Sequence, residues 1–145
     1  MMTDIAPNIR IATAADREAV IALWQACALT RPWNDPVADF DRAVETATSD
    51  ILVRHDGDEL IASVMVGYDG HRGWVYYLAV HPDQRRRGLG RAMMEAAEAW
   101  LRERDAPKIQ LMVRSDNAEV IAFYEAFGLD RQDVVTLGRR LDGDS

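Results

Sequence analysis

Between residues 85 and 91 the chain reads Arg85-Arg86-Arg87-Gly88-Leu89-Gly90-Arg91. Four arginines in seven positions stand out in a chain where 24 acidic side chains face 17 basic ones. A random window of seven would hold about 0.8 basic residues, so the cluster needs a reason. Two glycines alternate with the last arginines, just after an apolar run stopped by Pro82 and just before an amphipathic stretch. Glycine lets the backbone approach a ligand closely and aim successive N–H groups at it. A helix start adds its positive dipole end. Together these suit a diphosphate, and flanking arginines can grip further phosphates bidentately. The segment is not a dinucleotide fingerprint, because Met93 stands at the third glycine position, and no G-x-x-x-x-G-K-[ST] run occurs. The bland alternative is a solvated arginine-rich turn ahead of an ordinary helix.

The elements that must position this segment read as alternating strands and helices, which implies a mixed α/β sheet. Asn8–Ala12 is a short strand. Thr13 caps a helix with Asp16 three residues on, and Val20, Leu23, Trp24 and Cys27 line one helical face. Asp35 caps a second helix with Pro36 at its first position. Ile51–His55 and Leu60–Tyr68 are strands joined at Asp56-Gly57, a hairpin signal. A turn over Asp69–Gly73 leads to a third strand, Trp74–Val80, so three strands in a row form an antiparallel meander. A long helix follows the glycines to about Arg104. Lys108–Val113 is a strand, Asn117–Phe127 a helix ended by Gly128, and Val134–Leu141 a last strand.

With 145 residues, one domain is expected over 1–145, with a core from about 9 to 141 and a frayed polar tail from Asp142. The net charge of −7 argues against a general nucleic-acid binder, which needs a basic face. Apolar runs such as Ile61–Val66 are too short to cross a bilayer, so no membrane role is expected. Met1–Arg10 lacks a charged region followed by an apolar run, so no secretory leader is expected. Cys27 is the single cysteine, which rules out an internal disulfide and a thiolate metal cluster. A cytoplasmic protein without a metal is the simplest expectation.

Three segments in order resemble the GCN5-related N-acetyltransferases (GNAT). Arg85–Gly90 resembles the R/Q-x-x-G-x-G/A motif. Tyr76-Tyr77-Leu78-Ala79-Val80-His81-Pro82 looks like the family's fourth strand, and Asn117 with Phe123–Leu129 looks like its N…FYE-x-x-GF element. The likeness runs from about Ile9 to Leu141. More narrowly, Arg31–Pro36, Gly67–Gly73 and Leu137-Gly138 resemble the bacterial YpeA-type acetyltransferases. The resemblance implies a twisted, mostly antiparallel mixed sheet flanked by helices and split between strands 4 and 5. It implies acetyl transfer from acetyl-CoA to a primary amine by direct attack in a ternary complex, with a small-molecule or peptide amine as acceptor.

Carried onto this sequence, the resemblance puts the coenzyme A pyrophosphate on the backbone of Arg87, Gly88 and Gly90, with Arg85 and Arg86 flanking and Arg91 assisting. Leu78 and Val80 pair through their main chain with the pantetheine arm, as an added strand does, and Asn117 bonds the arm further on. Fourth-strand N–H groups polarise the thioester carbonyl. Tyr124 is the general acid that reprotonates the departing thiolate; otherwise it is a core aromatic of its helix. Relatives often place a glutamate base on the fourth strand, but Trp74–Val80 has no acid. Base candidates are His71, Asp69 and Asp35, each with a plain alternative: an exposed turn histidine, a D-G turn residue and a helix cap. Trp33, Asn34, Tyr68 and Arg72 sit in loops that border the acceptor site; Trp33 otherwise plugs the core between the first helices. His55 and His81 are read as bystanders, and Cys27 on a buried face is a poor candidate for an acyl-enzyme. A long terminal hairpin cannot fit after Gly128, so the acceptor site stays open or is completed by a second copy in a homodimer. Two other readings keep the same cradle: a non-catalytic acyl-CoA sensor or partner-binding domain, and a nucleotide-binding regulator.

Overall fold

The computed structural model describes residues 8–142. Of the frayed tail expected over Asp142–Ser145 only Asp142 is described, and it is bonded to Arg140; residues 143–145 and the stretch before Asn8 lie outside the described residues. Two compact units divide the chain, one running to Met112 and the other starting at Val113.

The first unit holds β1 (Ile9–Ile11), α1 (Arg17–Ala26), α2 (Pro36–Glu45), β2 (Ser49–Asp56), β3 (Glu59–Tyr68), β4 (Gly73–Val80), α3 (Leu89–Glu103) and β5 (Ile109–Leu111). The five strands form one sheet in the order β1-β2-β3-β4-β5. The first four pair antiparallel, and β5 joins β4 in parallel. The expected mixed sheet and its meander are therefore present. The hairpin after β2 closes one residue later than the Asp56-Gly57 reading. Asp56 pairs with Glu59, so the loop is Gly57-Asp58, with Gly57 at φ 62°.

Strand alternation assigns the faces. Ile51 and Val53 join Val20, Leu23, Trp24, Phe40 and Ala43 in a cluster under α1 and α2. Asp50, pointing the other way, accepts a 2.9 Å bond from the indole of Trp100 on α3. Trp24 and Trp100 are both fully buried, and Trp24 satisfies its N–H on Ser63 at 3.2 Å. At Gly73 the leucine of α3 comes so close that an added Cβ would stand 2.5 Å from Leu101.

The predicted Thr13 cap forms with Asp16 as its reciprocal partner. Asp16 also takes both guanidinium nitrogens of Arg10 at 2.8 Å, and Arg10 reaches His55 at 2.7 Å. The Arg10 bonds, with the Thr13 N–H, hold the Asp16 carboxyl at about 2, against an ordinary 3.8. A depressed carboxyl stabilises the fold above the unfolded value and loses that contribution as pH falls toward 2. Arg10 is 46% exposed, which screens the pair. Asp16→Asn is expected to cost roughly 1–2 kcal/mol at pH 7, or about 3–8 °C in Tm. In thermal melts the gap to the parent should close near pH 2; a gap that persists there would show that the bonds act without the charge.

The second unit contains α4 (Ala118–Phe127), capped by Asn117 and closed by Gly128 at φ 106°. The strand expected over Val134–Leu141 does not form. These residues carry no regular structure, and Val134, Val135, Leu137 and Leu141 are exposed. A strand exists only as paired backbone, and α4 is the single regular element among the described residues of this unit. The sequence alternation supplied a β-prone run without a partner in its own unit.

Candidate functional site

β4 pairs with β5 only over Gly73–Val75. Past Val75, among the described residues, no strand follows its outer edge. The split expected between strands 4 and 5 is thus a half-open edge that begins at Tyr76. The opposite edge of β4 is distorted at the same place. Met65 faces Tyr76, but Ser63 faces Ala79. β4 is thus one residue longer than β3 here, a bulge that re-aims side chains. Tyr77 takes up the irregularity at φ 53°, which is uncommon for a bulky residue. Its ring lies flat on Trp24, 4.0 Å between centroids and 11° from parallel. Its hydroxyl donates to Asp39 Oδ2 at 2.6 Å. Burial, then the Asp39 bond and charge, push the Tyr77 phenol far up, so it remains a donor.

Leu78 and Val80 lie on this half of β4, both half-buried. The Val80 carbonyl accepts from the Cys27 thiol at 3.1 Å and keeps a second lone pair. Cys27 stands at the C-terminal cap of α1, half-buried rather than sealed in the core. The strand then passes through a short 3₁₀ turn, Pro82–Gln84, capped by His81 Nδ1 accepting from the Asp83 N–H. His81 is engaged in this local cap, and His55 pairs with Arg10 across the β1–β2 seam.

The arginine loop follows. Arg85, Arg86, Arg87 and Gly88 are exposed, and Arg87 donates to the Gln84 amide oxygen. Arg86 at φ 68° and Gly88 at φ 75° alternate with right-handed or extended neighbours, the backbone pattern that turns N–H groups into one concavity. Gly88 is the N-cap of α3. The first closed helical bond runs from Ala92 N–H to the Gly88 carbonyl, so the first-turn amides have no partner within the helix. A Cβ built on Gly88 would meet nothing within 4 Å, so the concavity opens outward. Arg91 lies 3.7 Å from Glu95 one turn on. Exposed cations, a left-handed glycine and a helix start form the donor set that a pyrophosphate requires.

The base candidates sit as follows. Asp35 Oδ1 accepts from Val37 and Ala38 N–H, capping α2. Asp69 accepts from His71 and Arg72 N–H and from the Trp74 indole; the two backbone bonds lead in lowering its carboxyl, which makes it a weaker base. His71 is exposed, with Nδ1 3.5 Å from Arg72. Arg72 also donates to the His71 carbonyl at 3.0 Å. Tyr68 ends β3, with its N–H on the Thr48 carbonyl. Trp33 is 54% exposed, which excludes it as a plug of the core; Asn34 beside it is half-buried. In the second unit, Asn117 Oδ1 accepts from Val120 N–H at 3.3 Å. Tyr124 meets Phe123 edge to face at 5.1 Å, and burial pushes its phenol up to about 12.

Sequence reasoning missed the Tyr77–Asp39 pair. Tyr77 sits inside an apolar run and Asp39 inside a helix with its own ion pair, so neither carries a signal before the bulge joins them. Among the described residues no cluster of metal-ligating side chains occurs, and no helix is long and apolar enough to span a bilayer.

Comparison with known proteins gives the family and the fold. Residues 9–129 match the acetyltransferase (GNAT) family, and the chain belongs to that family and is an enzyme, an N-acetyltransferase. Among its relatives, Acetyltransferase ECA0875 of Pectobacterium atrosepticum is 49% identical over 92% of this chain and 95% of its own length. Acetyltransferase YE1169 of Yersinia enterocolitica is 46% identical over the same shares. The fold is shared with AAC(6')-Iy, solved with a bisubstrate analogue, CoA-S-monomethyl-acetylneamine, at a TM-score of 0.77 and 15% identity over 91% of this chain and 96% of that one. The ribosomal-protein-S18-alanine N-acetyltransferase of Escherichia coli is 26% identical, with a TM-score of 0.72 over 83% of this chain and 75% of that one.

Proposed function

We propose that the protein moves the acetyl group of acetyl-CoA directly to a primary amine within a ternary complex. The observation that carries this is continuity: the half-open edge of β4 runs within one segment into the arginine–glycine concavity. A pantetheine arm adding as a strand to Leu78 and Val80 leads toward pyrophosphate donors at Arg87, Gly88 and Gly90, with Arg85, Arg86 and Arg91 around them. The AAC(6')-Iy complex with a coenzyme A conjugate supports the same ligand. The thioester is the source of the acyl group. The chain's own part is to hold the arm by its strand, to offer β4 N–H groups near the bulge to the developing oxyanion, and to exclude water. Asn117 bonds the arm, and Tyr124, protonated well beyond neutral pH, donates to the departing sulfur. The acceptor side is bordered by Trp33, Asn34, Tyr68 and Arg72.

The test is thiol release from acetyl-CoA across a panel of primary amines: an alanine-starting peptide, a lysine peptide, spermidine and an aminoglycoside. At least one amine is expected to accelerate release well above hydrolysis. No acceleration by any of them, with acetyl-CoA bound in calorimetry, would remove the transfer reading and leave a binding domain.

A further inference from the structure

The bulge of β4 brings an acidic side chain to the place where, on the acetyl-transfer reading, the thioester carbonyl is held. Several features make this contact more than a tie between helix and sheet. Tyr77 is kept in a left-handed conformation at φ 53°, which is strained for a bulky residue and persists only where neighbours enforce it. Trp24 stacks on its ring, and Asp39 takes its hydroxyl. The tyrosine occupies one carboxylate oxygen and leaves the other. Oδ1 of Asp39 has Arg42 as its nearest cation, at 4.0 Å and 71% exposed, outside hydrogen-bond reach. The Asp39 side chain keeps 26% of its surface in solvent. By contrast, Asp35 Oδ1 is committed to capping α2 through two backbone amides, and Asp69 uses Oδ1 on two backbone amides and Oδ2 on the Trp74 indole. Next to Tyr77 in the strand, Tyr76 is 42% exposed and stacks with Trp74 at 6.5 Å, exposed aromatic surface of the kind that favours a cation.

We propose that Asp39, oriented by the Tyr77 hydroxyl, is the acceptor-binding residue that receives the substrate's ammonium group beside the β4 bulge, so that the enzyme selects amines that arrive as cations. The inference rests on the transfer reading for the identity of the site, and it adds the residue that chooses the acceptor. Tyr77 is a positioning residue: its hydroxyl fixes the carboxylate while its ring packs on Trp24 and the core cluster.

The experiment uses the intact chain with coenzyme A bound and spermidine as probe. Calorimetry reads spermidine binding, and thiol release reads KM and kcat for the same amine. Asp39→Asn should weaken spermidine binding and raise its KM at least tenfold, with KM for acetyl-CoA and Tm close to the parent. Asp39→Glu should recover part of the loss. Tyr77→Phe, which keeps the ring on Trp24, should give an intermediate rise in KM. If Asp39→Asn binds spermidine as tightly as the parent does, or if the parent does not bind it, the inference is overturned. If binding drops as expected but no amine is acetylated by the parent, Asp39 stands as an ammonium-binding residue and the transfer reading fails.

Discussion

Gly88→Val is expected to weaken coenzyme A binding by 10- to 100-fold. The position has φ 75° and open space around its missing Cβ, so the substitution clashes with nothing. Its effect is conformational. A β-branched residue in the left-handed region carries strain on the order of 1–3 kcal/mol. Each 1.4 kcal/mol is about a tenfold change in affinity. Either the loop keeps its shape and that strain is felt in stability, or it relaxes and the first-turn amides of α3 no longer converge. Gly57→Val is the matched control. Gly57 has φ 62° and is likewise open, but it lies in the hairpin after β2, away from the arginine loop. It should lower Tm to a similar extent and leave calorimetric titration with coenzyme A untouched. Equal affinity in parent and Gly88→Val, with Tm unchanged as well, would mean that the loop relaxes without consequence and is only a solvated turn.

Tyr124→Phe should lower kcat by about 10²-fold or more, the usual contribution of a placed proton donor, while the Kd for acetyl-CoA stays within twofold. The phenyl ring preserves the edge contact with Phe123, so folding is not the readout. The pH profile separates this role from others. Because burial holds the Tyr124 phenol near 12, the acid form is complete throughout pH 6–10. A basic limb in kcat within that range therefore belongs to another group, and the variant should keep the parent's profile at a lower level. An unchanged kcat would assign the tyrosine to packing, whereas a limb that vanishes in Tyr124→Phe would show that the phenol itself titrates within that range, below the value burial gives it.

The arginine loop was legible because it is local: composition, glycine placement and a strand–helix junction lie within seven residues. The caps at Thr13, Asp35 and Gly128 were legible for the same reason, whereas the cap at Asn117 was not read as one. The half-open edge followed from the resemblance, since nothing in Ile109–Leu111 states how few residues of β4 it will pair with. Trp33 could be read either way, because one aromatic beside a proline says nothing about which side of it faces water. Val134–Leu141 has strand alternation, yet pairing depends on an edge that no residue within the run can provide. Tyr77 and Asp39 are 38 positions apart, and only a bulge and two packed helices make them neighbours. Long-range pairs of this kind are where single-chain reading stops.

The incomplete β4–β5 ladder has a consequence for handling the protein. A row of backbone amides without a neighbouring strand is a template for any extended chain, including another molecule's. The β4 edge past Val75, which no strand follows among the described residues, is therefore also a surface open to self-association during concentration or storage. Saturating coenzyme A should then act as a solubiliser, and crowded, ligand-poor samples should be the first to turn turbid.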